Sequence, residues 1–147
     1  MAHISQDEKK QLAPAIKRLL AKYGLNGSLS INHYSTLVLK IKSGRIDFFE
    51  SYNRLGEQRP RMYDREWTTV SGSMSVNEHY YQDHFDGAAL EFLTDLIPAM
   101  RGPGWFDHSD SQTDYFFVKH YIDIQIGQWN KPYIVNPLFY NHNIRVV

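Results

Sequence analysis

Cysteine is absent from the 147-residue chain, which excludes disulfides, thiolate metal sites and cysteine nucleophiles. Net charge is missing as well. Lys and Arg number 16 against 16 Asp and Glu, so the molecule as a whole has neither the basic excess of a nonspecific nucleic-acid binder nor the acidity of a DNA mimic. No apolar run reaches the length of a membrane span, and the polar opening "MAHISQDEKK" lacks the apolar core of a signal peptide. A cytoplasmic location without membrane association is therefore expected. There is no Gly-rich phosphate loop. The "SGS" at 71–73 lacks the context of a nucleophile elbow, and His79 and His84 are five residues apart, not the four of a zinc-binding helix. No cofactor is expected.

Aromatic residues are plentiful, with 10 Tyr, 8 Phe and 3 Trp, which suits a packed core and an interaction surface alike. The length, with no internal repeat and no linker, predicts one globular domain over residues 1–147. Charge is uneven along the chain: residues 1–66 carry 12 basic and 7 acidic side chains, whereas 67–147 carry 4 and 9. Whether that asymmetry survives folding depends on how the halves interleave.

Ser5 followed by Glu8 has capping-box spacing, and Leu12, Ile16, Leu19, Leu20 and Tyr23 recur at helical intervals up to Gly24. Pro14 falls inside that pattern and predicts a kink or a ragged first turn. The period then drops to two. Leu29 and Ile31 alternate with Ser28, Ser30 and Asn32, then Leu37, Leu39 and Ile41 with Thr36, Val38, Lys40 and Lys42, and "NHYS" supplies a turn between the two runs. Ile46 and Phe48 extend the alternation past "SG" and predict a third strand of a meander. Glu50 to Ser73 has no clear period and reads as a long loop, with a short strand at Trp67–Val70. A strand at Met74–Val76 and a second helix through Phe85, Ala89, Phe92, Leu93, Leu96 and Met100 come next. A last strand runs over Phe116–Ile126, with His120 in its apolar register. The expected fold is α+β: a mostly antiparallel sheet, built from the meander and the later strands, packed against two helices.

Three polar groupings are candidates for chemistry. "DHSD" places Asp107, His108 and Asp110 together, a donor set suited to a divalent cation, although Asp and Ser are also ordinary loop residues and no metal is expected. Arg54, Arg59, Arg61 and Arg65 alternate with Tyr63 and Trp67 in the middle loop, a composition found in phosphate clamps, base-stacking platforms and protein hot spots. That segment is the expected partner-binding surface. An enzyme would instead have to unite His33, Asp47 and Asp114 by folding, because no catalytic geometry is legible in the chain.

The segments "GSLSINHYSTLVLKIKSGRIDF", "ALEFLTDLIPAM" and "SDSQTDYFFVKHYIDIQIGQWNKPY" together resemble an uncharacterised family of large polyvalent-protein-associated domains, found in phage and conjugative-element proteins. The residues carrying the resemblance are Ser35, Thr36, Ser43, Asp47, Asp110, Asp114, Tyr115, Lys131 and Tyr133. The family motifs carry no known reaction. The resemblance implies a setting inside a bacterial host, beside mobile DNA, where such a domain would blunt a defence factor by contact with a host protein or nucleic acid. Action on a nucleotide-type signal, as an enzyme or a sponge, is the alternative. Binding is the preferred reading.

Overall fold

The computed structural model describes residues 2–59, 66–109 and 118–136. Helix α1 (Gln6–Lys22) starts at the capping box read from the sequence: the Ser5 hydroxyl accepts from the Glu8 amide and the Glu8 carboxylate accepts from the Ser5 amide. The helix runs unbroken through Pro14, which sits on its exposed side. Strands β1 (Leu25–Asn32) and β2 (Thr36–Gly44) form an antiparallel hairpin. Its turn places His33 and Tyr34 in the left-handed region, with φ of 54° and 59°.

The expected third strand of the meander is a helix. Asp47 accepts from the Glu50 amide and caps α2 (Phe48–Gln58), so the chain turns where the alternation appeared to continue. The missed signal is the spacing of Phe48, Phe49, Tyr52 and Leu55, obscured by Glu50, Arg54 and Glu57 on the outer side. Trp67–Val70 is extended without pairing, and is strapped to α2 through Asn53. The Asn53 side-chain oxygen accepts from Trp67 Nε1 at 3.0 Å and from the Val70 amide at 2.8 Å, while its nitrogen donates to the Val70 carbonyl.

Strand β3 (Met74–Val76), the single turn α3 (Tyr81–His84) and helix α4 (Gly87–Arg101) come next. Strand β4 (Tyr121–Ile126) begins after His120; of the strand expected over Phe116–Ile126, Phe116 and Phe117 lie outside the described residues and Val118 forms an isolated bridge with Asp107, and β5 (Ile134–Val135) follows. The fold is α+β, but the sheet is mixed and the described helices number four. Its order is β1-β2-β4-β3, with β2 parallel to β4 and β5, and β4 antiparallel to β3.

Side-chain rows are set by the register. One face carries the row Leu29–Leu39–Ile124–Val76 and beneath it Gly27–Ile41–Ile126–Met74. The helices cover this face, where Ile16, Leu20, Leu39, Ile41, Phe48, Phe92, Leu96 and Met100 share one core. Lys40 points to the opposite, more open face, where Ser30 and Ser75 are exposed and Val38 is buried. The basic and acidic halves interleave, since β2 pairs with β4 and first-half cations or anions meet second-half partners at Glu8–Lys119, Arg54–Asp86 and Lys22–Asp95. No helix among the described residues is long and apolar enough to cross a membrane.

Candidate functional site

The end of β2 is where the chain folds back on itself. Opposite Gly27 the ladder slips by one residue, between Asn26 and Gly27, so that Lys42 is the extra residue of a bulge. Next to it β4 gives way to Gly127, whose amide donates to the Ile41 carbonyl at 2.8 Å and whose φ of 71° starts a sharp turn. Gln128 and Lys131 then exchange two backbone hydrogen bonds at 2.9 and 3.1 Å, holding Trp129 and Asn130 as the tip of a small hairpin. Tyr133 anchors the return. Its hydroxyl donates to the Ile46 carbonyl at 2.7 Å, and burial holds its pKa above the ordinary phenolic value. β5 then pairs beside Ser43 and Gly44.

These turns enclose a cleft of about 560 Å³ on the edge of the open face. Lys40, Lys42 and Lys131 line it together with Ser28, Ser43 and Gln128, over Ile41, Pro132 and Ile134. None of its described lining residues is acidic, and none of the three ammonium groups is within ion-pair distance of a carboxylate among the described residues. Three lysines and several hydroxyl or amide groups lining one concavity are an arrangement that can hold an anion. A second groove, between α1 and β1, shares Ser28 with this cleft and adds Lys9, Lys10 and Lys17.

Ser43 and Lys131, both singled out from the sequence, meet here. Ser35 and Thr36 do not: they sit at the opposite end of β2, with their hydroxyls 3.3 Å apart. His33 lies in that same distant turn, whereas Asp47 caps α2 beyond the other end of β2. A nine-residue strand between them spans about 26 Å, so the His33–Asp47 pairing needed for an enzyme is not formed. Asp110, Asp114 and Tyr115 lie outside the described residues. The Ser109 side chain, and then its amide, which donates to Asp107 at 2.9 Å, hold the Asp107 carboxyl below the usual range, and the His108 ring packs on Phe106.

The expected arginine surface is engaged internally wherever it is described. Arg54 donates to both Asp86 oxygens, at 2.6 and 2.8 Å, and to Glu50, and this pairing raises its pKa. The Arg59 guanidinium donates to the Asp83 carbonyl. The Trp67 ring lies against Gly56. Arg61, Tyr63 and Arg65 fall outside the described residues. Lys40 and Lys42 are not among the residues singled out from the sequence, where they are only members of the β2 alternation; the signal was a two-lysine strand end, "KIKS", matched by "QWNK" further on.

A second polar cluster lies where α4 meets β4. His120 is 2% exposed, and its Nε2 lies 3.0 Å from the Met100 carbonyl. Glu78 Oε2, Arg101 Nε and His120 Nδ1 are buried without a hydrogen-bond partner among the described residues. The Arg101 guanidinium lies 4.5 Å from the Trp105 ring centre. Burial pushes the His120 pKa down and the Glu78 pKa up. A histidine held below its unfolded value near 6.5 leaves stability intact above that pH, and stability falls as pH drops toward the folded value. Glu78 has the opposite sign, losing stability as pH rises above its ordinary value. The histidine and Glu78 contributions oppose each other between pH 6.5 and 5, so the expected result is a difference: over that window His120→Gln should lose less melting temperature than the wild type, or gain more, with the part due to His84, whose pKa burial also lowers, unchanged. An unchanged slope in the variant would remove His120 as the cause.

Compared with protein-family models, curated proteins and solved structures, the chain has no match.

Proposed function

We propose that the chain is a binding module whose ligand carries phosphate, held in the cleft of Lys40, Lys42 and Lys131. The observation that carries this reading is the presence of three lysines in the lining of one concavity, with no ion-pair partner among the described residues and no described carboxylate in that lining. In a protein with no net charge, such a local excess supplies the field that draws in an anion. Ser28, Ser43 and Gln128 supply neutral groups for further phosphate oxygens. In the setting that the family resemblance implies, this module would act against a bacterial host defence factor by occupying a nucleic acid or nucleotide-type signal, without chemistry of its own.

Titration calorimetry with inorganic tripolyphosphate at low salt tests the site. The Lys40→Ala/Lys42→Ala/Lys131→Ala variant is expected to bind about tenfold more weakly or worse, at roughly half a kcal/mol for each exposed ion pair lost. Its melting temperature should stay near that of the wild type, since none of the three ammonium groups has a described partner to lose. Equal affinity in the variant would place the anion elsewhere.

A further inference from the structure

Resting on the phosphate reading, we infer that the ligand is a single-stranded nucleic acid, with its backbone along the lysines and a base stacked on Trp129. The first observation is Trp129 itself. It is 89% exposed at the tip of the 128–131 hairpin, on a support fixed by two backbone hydrogen bonds, with no packing role in the core. An indole held this way presents an open π-face.

The second observation is continuity. A cleft of about 420 Å³ beside Trp129 is lined by Ser73, Ser75 and Gln125, and shares Lys40, Gly127 and Gln128 with the three-lysine cleft. Register places Ser28, Lys40, Gln125 and Ser75 in one row across β1, β2, β4 and β3 on the open face. Neighbouring strands are about 4.8 Å apart, so the row is roughly 14 Å long. Its groups are polar, and Lys40 stands between the two clefts. The carboxylate of that face, Asp123, belongs to the next row and accepts from Gln125 Nε2 at 2.8 Å.

The pattern is a cationic track beside an aromatic platform, the combination by which proteins hold single strands with little sequence preference. A duplex keeps its base faces inside the stack and offers Trp129 nothing to lie on. A lone phosphate would leave Trp129 and the Ser75–Gln125 cleft unused. The groove between α1 and β1 also touches Ser28, but Gly27, Leu29 and Leu39 line it from the helix-covered face, so the track ends at the β1 edge.

Fluorescence anisotropy with labelled oligo(dT) of 12 nucleotides, run beside tripolyphosphate calorimetry, tests this. Trp129→Ala should weaken oligo(dT) binding about fivefold or more, as loss of one base–aromatic stack does, without weakening tripolyphosphate. Tyr34→Asn, which removes an exposed aromatic ring at the opposite end of the sheet, should change neither. Removing the three lysines should flatten the plot of log affinity against log salt by about 2. Equal binding of oligo(dT) by wild type and Trp129→Ala, or equal affinity for a duplex of the same length or for a mononucleotide, would overturn the single-strand assignment and leave the phosphate site standing. Failure of the wild type to bind either tripolyphosphate or oligo(dT) would overturn both.

Discussion

Phe48→Ala is expected to cost about 3–5 kcal/mol, the range for removing a buried aromatic ring from a packed core. Phe48 is fully buried and is the first residue of α2. Its ring meets Phe85, Phe92 and Tyr133 edge-on, at centroid distances of 6.3, 6.0 and 5.6 Å. Each edge-to-face pair adds roughly 0.5–1.5 kcal/mol beyond the area it buries. These three partners come from the approach to α4, from α4 itself and from the segment before β5, so no single element can move inward to fill the space. The cavity should therefore persist. Urea denaturation would measure the effect as a lower midpoint with an unchanged slope. A loss under about 1 kcal/mol, typical of a surface position, would mean that α2 does not pack as described.

The second large effect is expected at Gly127, where Ala should cost about 2–6 kcal/mol, from roughly 1–3 of backbone strain and 1–3 of overpacking. The φ of 71° is unfavourable for a side chain, and an added Cβ would stand 2.2 Å from the Gly72 carbonyl oxygen and 2.6 Å from the Tyr133 amide. Those two atoms are hydrogen-bonded to each other at 2.8 Å, so relief of the clash must break that bond or tilt the hairpin. Because the hairpin carries Lys131, Gly127→Ala should also weaken tripolyphosphate binding under conditions where the variant is still folded. By contrast, Gly104→Ala, at a φ of 78° with open space around it, should show the strain alone and leave binding unchanged. Equal loss of stability in the two variants would remove the steric argument.

The local devices of the fold were legible because each depends on residues close in sequence. The capping box at Ser5, the β1–β2 alternation and the apolar stripe of α4 all lie within a few residues of their partners. α2 was misread because Ile46 and Phe48 satisfy a period of two by coincidence, and the Asp47 cap between them overrides it. The parallel pairing of β2 with β4 depends on the register of distant segments, which alternation cannot specify. The lysine cleft has the same origin. Lys40 and Lys42 come from one strand and Lys131 from a hairpin some 90 residues later, so their convergence is a product of the β2–β4–β5 topology. Arg54 shows the converse: its neighbours in sequence suggested a free cation, and Asp86, 32 residues away, neutralises it.

The central position of β2 also sets an order of assembly. Its antiparallel partner β1 is reached through a turn of three residues, whereas pairing Leu37 with Ile122 closes a loop of roughly 85. Logarithmic growth of closure entropy makes the second event about 3 kcal/mol more costly than the first. The β1–β2 hairpin with α1 against it is therefore expected to form early, and β4 to arrive once α4 has built a surface to receive it. In stopped-flow refolding, Leu29→Ala should slow folding, whereas Ile122→Val should mainly speed unfolding; the reverse pattern would place β4 in the nucleus. The anion cleft, bounded by β2 on one side and by the 128–131 hairpin and β5 on the other, would then be among the last features of the molecule to exist.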